Sequence, residues 1–164
     1  MKCPVMAPAC GAPSSGARPH LMIVAEVIVP RLAAWRTCAS PVSETDVAAL
    51  RRDCPFNLPT EYFELLAITN GGEGELGLSY GWFQLWSARD CVAHNKGYEV
   101  AEYHPGFWGF GSSGGGVMFA FKSGSGSTVF GVPFDSIDPQ DFRIVAKSFA
   151  EFLLALGAPR VGAV

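Results

Sequence analysis

The stretch from Pro105 to Val132 constrains the fold more than any other part of this chain. Val117-Met-Phe-Ala-Phe-Lys122 and Ser127-Thr-Val-Phe-Gly-Val132 are two short apolar runs, joined only by Ser123-Gly-Ser-Gly126. Short runs rich in β-branched and aromatic residues read as strands. So brief a connection makes them an antiparallel hairpin. Just upstream lies Pro105-Gly-Phe-Trp-Gly-Phe-Gly111-Ser-Ser-Gly-Gly-Gly116, whose Gly111-x-Ser113-x-Gly115 portion predicts a tight glycine turn between strands, where missing side chains permit positive φ.

Helical patterns flank this block. Ser43-Glu44-Thr45-Asp46 has the form of a capping box, Val47, Leu50 and Cys54 follow at helical spacing, and Pro55 closes the helix. Leu58-Pro59-Thr60-Glu61 opens a second helix with Tyr62, Leu65, Leu66 and Thr69 on one face, and Asn70-Gly71-Gly72 ends it. After a loop over 71–77, Tyr80–Trp86 reads as a strand, with Trp82, Gln84 and Trp86 opposite Phe83 and Leu85. Ser87 caps a third helix that carries Cys91, Val92 and His94 and ends near Lys96-Gly97. A last helix places Val145, Phe149, Phe152, Leu153 and Leu156 on one stripe, stopped by Gly157 and Pro159. Helices enclosing consecutive, hairpin-connected strands give an α+β class, an antiparallel-rich sheet packed against helices.

The ends are different. Residues 1–20 are Pro-rich and aperiodic, and Pro4, Pro8 and Pro13 spoil the apolar core of a signal peptide. Leu21–Val29 is the longest apolar stretch, nine residues interrupted by Glu26 and followed by Pro30, whereas a membrane span needs about 20. It suits an extra edge strand or a short helix, or else translation starts at Met22 or later. The expected organisation is a poorly defined extension over 1–39, the domain over 40–157 and a short tail over 158–164. With 49% hydrophobic residues the chain buries enough surface to offset ordering entropy, which excludes disorder throughout.

Charge is unevenly spread. The whole chain carries −3, while residues 40–157 hold fourteen acidic and seven basic residues. Such a surface repels phosphate backbones, attracts a basic partner and aids solubility. Direct nucleic-acid binding is not expected. The five cysteines, at 3, 10, 38, 54 and 91, form no C-x-x-C pair, so neither a zinc knuckle nor a thioredoxin motif is present. Cys54 and Cys91 read as small buried hydrophobes, and a reduced cytoplasmic setting fits them.

Several patterns mimic catalysis. Gly109-x-Gly111-x-x-Gly114 matches a dinucleotide fingerprint, but that motif must open a helix and here a strand follows. Gly111-x-Ser113-x-Gly115 matches a nucleophile elbow, which also needs strand–turn–helix geometry and a histidine after the serine; the last histidine is His104. His94 and His104, ten residues apart, lack a metal-binding frame. They read as a helix-surface and a turn histidine. Glu73/Glu75 and Asp138/Asp141 are paired carboxylates in polar loops, where burial does not tune their acidity. Trp82, Trp86, Trp108, Phe107 and Phe110 suit a core better than a sugar-binding face, with Trp108 the one expected to be partly exposed. No catalytic group, cofactor or metal is predicted.

One ordered set of segments remains. It runs Leu58-Pro59-x-x-Tyr62…Leu66…Asn70-Gly71-Gly72, then Pro105-Gly106-Phe107…Phe110-Gly111-Ser112-Ser113-Gly114-Gly115-Gly116…Phe119-Ala120-Phe121, then Val132-Pro133-Phe134 and Ser148-Phe149-x-x-Phe152-Leu153. Over about residues 43–157 this resembles the SUKH superfamily, and within it the bacterial members related to the yeast Smi/Knr cell-wall-synthesis regulators. The resemblance implies a sheet packed against helices and no catalysis. Many bacterial members look like immunity proteins that neutralise nuclease or deaminase toxin domains, while the fungal relatives are regulatory scaffolds. Val117 and Lys122 stand where members of this type often carry acids, and the first 40 residues have no counterpart.

Together these features predict a non-catalytic, cytoplasmic protein-binding domain of immunity type with a basic toxin domain as partner. Its expected contact surface is Glu73, Glu75, Trp108, Asp135, Asp138 and Asp141. The alternative is a regulatory scaffold without a toxin partner; a remote one is a hydrolase using Ser113.

Overall fold

A computed structural model of the chain describes residues 26, 28–37 and 40–158. Seven strands form one antiparallel meander in sequence order: β1 (Arg36–Thr37), β2 (Gly72–Leu76), β3 (Gly81–Leu85), β4 (Phe107–Ser112), β5 (Val117–Lys122), β6 (Val129–Pro133) and β7 (Arg143–Ala146). The helices are α1 (Glu44–Asp53), α2 (Thr60–Ile68), α3 (Ala88–Gly97), α4 (Val100–Tyr103) and α5 (Phe149–Leu154). The α+β class therefore holds. Register shifts at Gly109/Gly111 and Val129/Phe130 kink the central strands, and such bulges increase twist and curl a sheet.

The inner sheet face is aromatic. Phe83, Phe110, Phe119 and Phe121 are fully buried there against Tyr62 of α2 and Phe149 and Phe152 of α5. Their ring centroids lie 4.5–6.0 Å apart, mostly edge-on or tilted, the arrangement that ring quadrupoles favour. Most of the residues carrying the family resemblance are therefore packing residues. Alternation in β3 is as expected, with Phe83 and Leu85 buried and Trp82 and Gln84 exposed; Trp86 lies just beyond the strand and is buried. The caps also match. Ser43 and Ser87 accept the backbone N–H of Asp46 and Asp90 at 3.1 Å, starting α1 and α3.

Four expectations change. The segment over 71–77 is largely strand: β2 pairs with β3 and β1 despite its two glycines and two glutamates. Pairing on both sides overrides weak β propensity. The glycines are there for close approach, since a Cβ on Gly72 would meet the Arg36 carbonyl at 2.6 Å and one on Gly74 would collide with the Trp35 ring. Next, the tight glycine turn expected over 111–115 sits slightly later, at 113–116 between β4 and β5, and Gly111 belongs to the buried strand β4. Gly109 and Gly111 have no room for a side chain against Met118 and Phe83. Third, Val145 lies in β7, not on the last helix. Ser148 accepts the Glu151 N–H, so α5 starts only at Phe149.

Finally, part of the predicted extension is built into the core. Ile28 is fully buried, and Leu32 and Trp35 nearly so. Val29–Arg31 forms one helical turn rather than an edge strand, and Arg36–Thr37 supplies β1. Arg31 Nη1 donates to the Leu154 carbonyl at 2.8 Å, tying this segment to the end of α5. Leu21–Ala25 and Val27, like residues 159–164, lie outside the described residues; Ala158 bonds back to the Ala155 carbonyl at 3.3 Å.

Candidate functional site

Two buried asparagines organise the region where the sheet meets α3. Asn70 Oδ1 accepts the Ala88 N–H at 2.9 Å, so a residue just beyond α2 joins Ser87 in satisfying the start of α3. Gly71, at φ +96°, lets the chain pass within contact of Ser87. Asn95 holds β4. Strand β3 leaves the sheet after Leu85, which strips Gly109 of a neighbouring strand on that side. The Asn95 amide replaces it: Oδ1 accepts the Gly109 N–H at 2.9 Å and Nδ2 donates to the Gly109 carbonyl at 2.7 Å. A second Nδ2 bond reaches the Cys91 carbonyl at 2.8 Å.

A cleft of about 530 Å³ lies beside this clamp, between the ends of α1 and α3, α4 and the start of β4. That volume falls in the range that takes small ligands or side chains. Pro55, Val100, Phe107 and Trp108 give it an apolar lining. Trp108, expected to be partly exposed, is only 7% exposed, because β4 is a central strand and not a turn. Its indole N–H has no well-formed hydrogen bond and lies beside the Cys91 thiol.

Charged groups stand at the mouth. Asp53 accepts from Arg52 at 3.0 Å and Lys96 at 3.3 Å, and these bonds hold its carboxyl below the ordinary value. Glu99 and Glu102 are exposed and have no ion-pair partner among the described residues. Glu99 sits at φ +51°, the only non-glycine residue at positive φ among those described. It follows the last turn of α3, where glycine is the usual occupant, and a side chain there costs about 1 kcal/mol. Sequence reasoning missed Asp53, Glu99 and Glu102. Their local pattern is that of ordinary helix-end charge, and only tertiary packing gathers them.

The predicted contact residues do not form one patch. Glu73 and Glu75 lie on β2. Glu73 faces Arg36 of β1 at 3.8 Å, and exposed Glu75 is cross-strand from Trp82. Asp135, Asp138 and Asp141 lie in the β6–β7 connection, four positions away in the sheet order. Asp138 accepts the Gln140 N–H at 2.9 Å and Asp141 accepts the Ser136 hydroxyl at 2.5 Å, while Asp135 is exposed. Trp108 alone lines the cleft.

The residues that mimic catalysis sit in unsuitable places. Ser113 lies in the β4–β5 turn, and its Oγ accepts the Gly115 N–H at 3.4 Å. Neither a histidine nor a carboxylate bonds to it among the described residues. The Cys91 thiol is fully buried, and burial pushes its pKa up to about 12, so it is a poor nucleophile. Burial raises Cys54 as well. The His94 ring packs against both Trp86 (4.7 Å, tilted) and Tyr98 (5.7 Å, stacked). The described residues contain no cluster of three metal-ligating side chains.

The profile of the SMI1/KNR4 family (SUKH-1) matches residues 41–155. The chain belongs to that family. No curated protein gave a significant match. As a SUKH-1 protein it has the expected sheet-and-helix domain, and β1 with residues 28–35 adds to that domain from outside the matched region. No helix among its described residues is long and apolar enough to cross a membrane.

One further feature of this SUKH-1 fold is titratable. His104, expected in a turn, is 4% exposed, with its ring edge-on to Phe142 and Nδ1 without a hydrogen bond. Burial lowers its pKa from the ordinary 6.5. The folded protein thus keeps it neutral where the unfolded chain begins to bind a proton. Stability from this source is present above pH 6.5 and is lost as pH falls toward the folded value. Urea midpoints should therefore drop between about pH 7 and pH 5, and His104→Gln should flatten that part of the profile. An unaltered slope in the variant would assign the drop to other groups.

Proposed function

We propose that this SUKH-1 protein is a non-catalytic binding domain of immunity type that acts in the cytoplasm and neutralises a basic toxin domain, of nuclease or deaminase kind. Charge carries the proposal. Residues 40–157 hold twice as many acidic as basic residues, fourteen against seven. A toxin that processes a polyanion needs a basic cleft, and an acidic protein seated over that cleft gains both attraction and fast association. Glu73, Glu75, Asp135, Asp138 and Asp141 present this charge at two separate parts of the sheet, so a partner broad enough to touch both is favoured.

The test is affinity capture with the full chain as bait, followed by assay of each captured protein for nuclease or deaminase activity. A basic domain released by salt, whose activity stops at equimolar bait, is the expected result. Capture of a housekeeping protein with no activity to block would replace this proposal with the regulatory scaffold. The double variant Glu73→Lys/Asp138→Lys should slow association about tenfold at low salt, with the difference shrinking as salt rises. Equal on-rates for variant and wild type would remove these carboxylates from the interface.

A further inference from the structure

We infer that the cleft beside α3 receives a cationic side chain, arginine or lysine, from the partner protein. The inference rests on the proposed binding role and gives that role a specific contact. Three observations lead to it. The walls are apolar, with Val100, Phe107 and Trp108 among them, and suit the methylene stem of a long side chain. The mouth carries two carboxylates, Glu99 and Glu102, that no cation of the described residues neutralises. An exposed head group meets them while its stem is buried. Asp53, by contrast, is already held by Arg52 and Lys96, so the pull on an incoming cation comes from Glu99 and Glu102.

The backbone at Glu99 adds a means of testing. Its φ of +51° is a conformation that glycine adopts without cost and glutamate does not. Glu99→Gly should therefore raise the melting temperature while removing a carboxylate from the cleft. Loss of binding in a protein that is more stable cannot be blamed on misfolding.

The experiment uses the full chain with 15N-labelled tryptophan, the Trp108 indole signal being identified by its loss in Trp108→Phe. Three capped tripeptides are titrated: acetyl-Gly-Arg-Gly-amide, the same peptide with norleucine, and the same with glutamate. The arginine peptide is expected to shift the Trp108 signal saturably in the millimolar range, and the other two much less. Glu99→Gly/Glu102→Gln should weaken that binding about fivefold, the size expected for two exposed ion pairs. Equal binding of norleucine, an arginine effect unchanged in the double variant, or no shift of Trp108 would each overturn the inference. Failure here is distinguishable from failure of the immunity role. If the double variant still blocks a captured toxin domain with wild-type affinity, the cleft is excluded and the role stands. If no toxin domain is captured but the arginine peptide binds as described, the reverse holds.

Discussion

Asn95→Ala is expected to destabilise the fold by about 3 kcal/mol, measured as a fall in the urea midpoint with an unchanged slope. The side chain is buried, and it satisfies both the N–H and the carbonyl of Gly109 as well as the Cys91 carbonyl. Gly109 lies where β3 has already left the sheet, so no strand can take over these bonds. Leaving a buried backbone donor or acceptor unpaired costs about 1–3 kcal/mol each. The Cys91 thiol still reaches the Gly109 carbonyl at 3.1 Å, which softens one of the losses. Asn95→Asp should be no rescue. It keeps an acceptor for the Gly109 N–H but removes the donor and buries a charge. A loss below about 1 kcal/mol for the alanine variant would mean that water or a backbone shift repairs the site.

The second large effect concerns the segment before residue 40. Trp35→Ala should cost about 3–4 kcal/mol, since the ring is 7% exposed and packs 5.7 Å from Phe83. Gly74→Ala should cost nearly as much, because its new methyl would occupy the place of the Trp35 ring and drive it out. The two losses are not additive. Once Trp35 is alanine, Gly74→Ala should cost under about 1 kcal/mol, as the obstacle is gone. A double-mutant cycle by chemical denaturation checks this. Additive losses would mean that residues 28–37 are not seated on β2 in solution.

Much of the domain was legible because the signals are local. Helix starts at Ser43 and Ser87 follow from a side-chain oxygen three residues before an amide, and the Val117–Lys122 strand from its apolar run. The family signature was legible too, but what it encodes is packing. Tyr62, Phe110, Phe149 and Phe152 fill the core, and the glycines admit close neighbours. This is why the signature names the fold and assigns no contact residue.

What misled is equally physical. A glycine-rich segment looks like a loop whether its glycines supply positive φ or merely vacate space. In β2 and β4 they chiefly vacate space for Trp35, Met118 and Phe83, which come from distant parts of the chain. Trp108 looked exposed for the same reason.

The α+β class, the helix caps, the family and the acidic balance of the domain can be read from the residues in order. These depend on spacing, local hydrogen bonds and composition. That residues 28–37 complete the sheet, that Asn95 closes β4, and that Asp53, Glu99 and Glu102 meet at one cleft can be read only from the folded chain. Each of these is a contact between residues far apart in the chain, and no local period or motif carries the energy of such a contact.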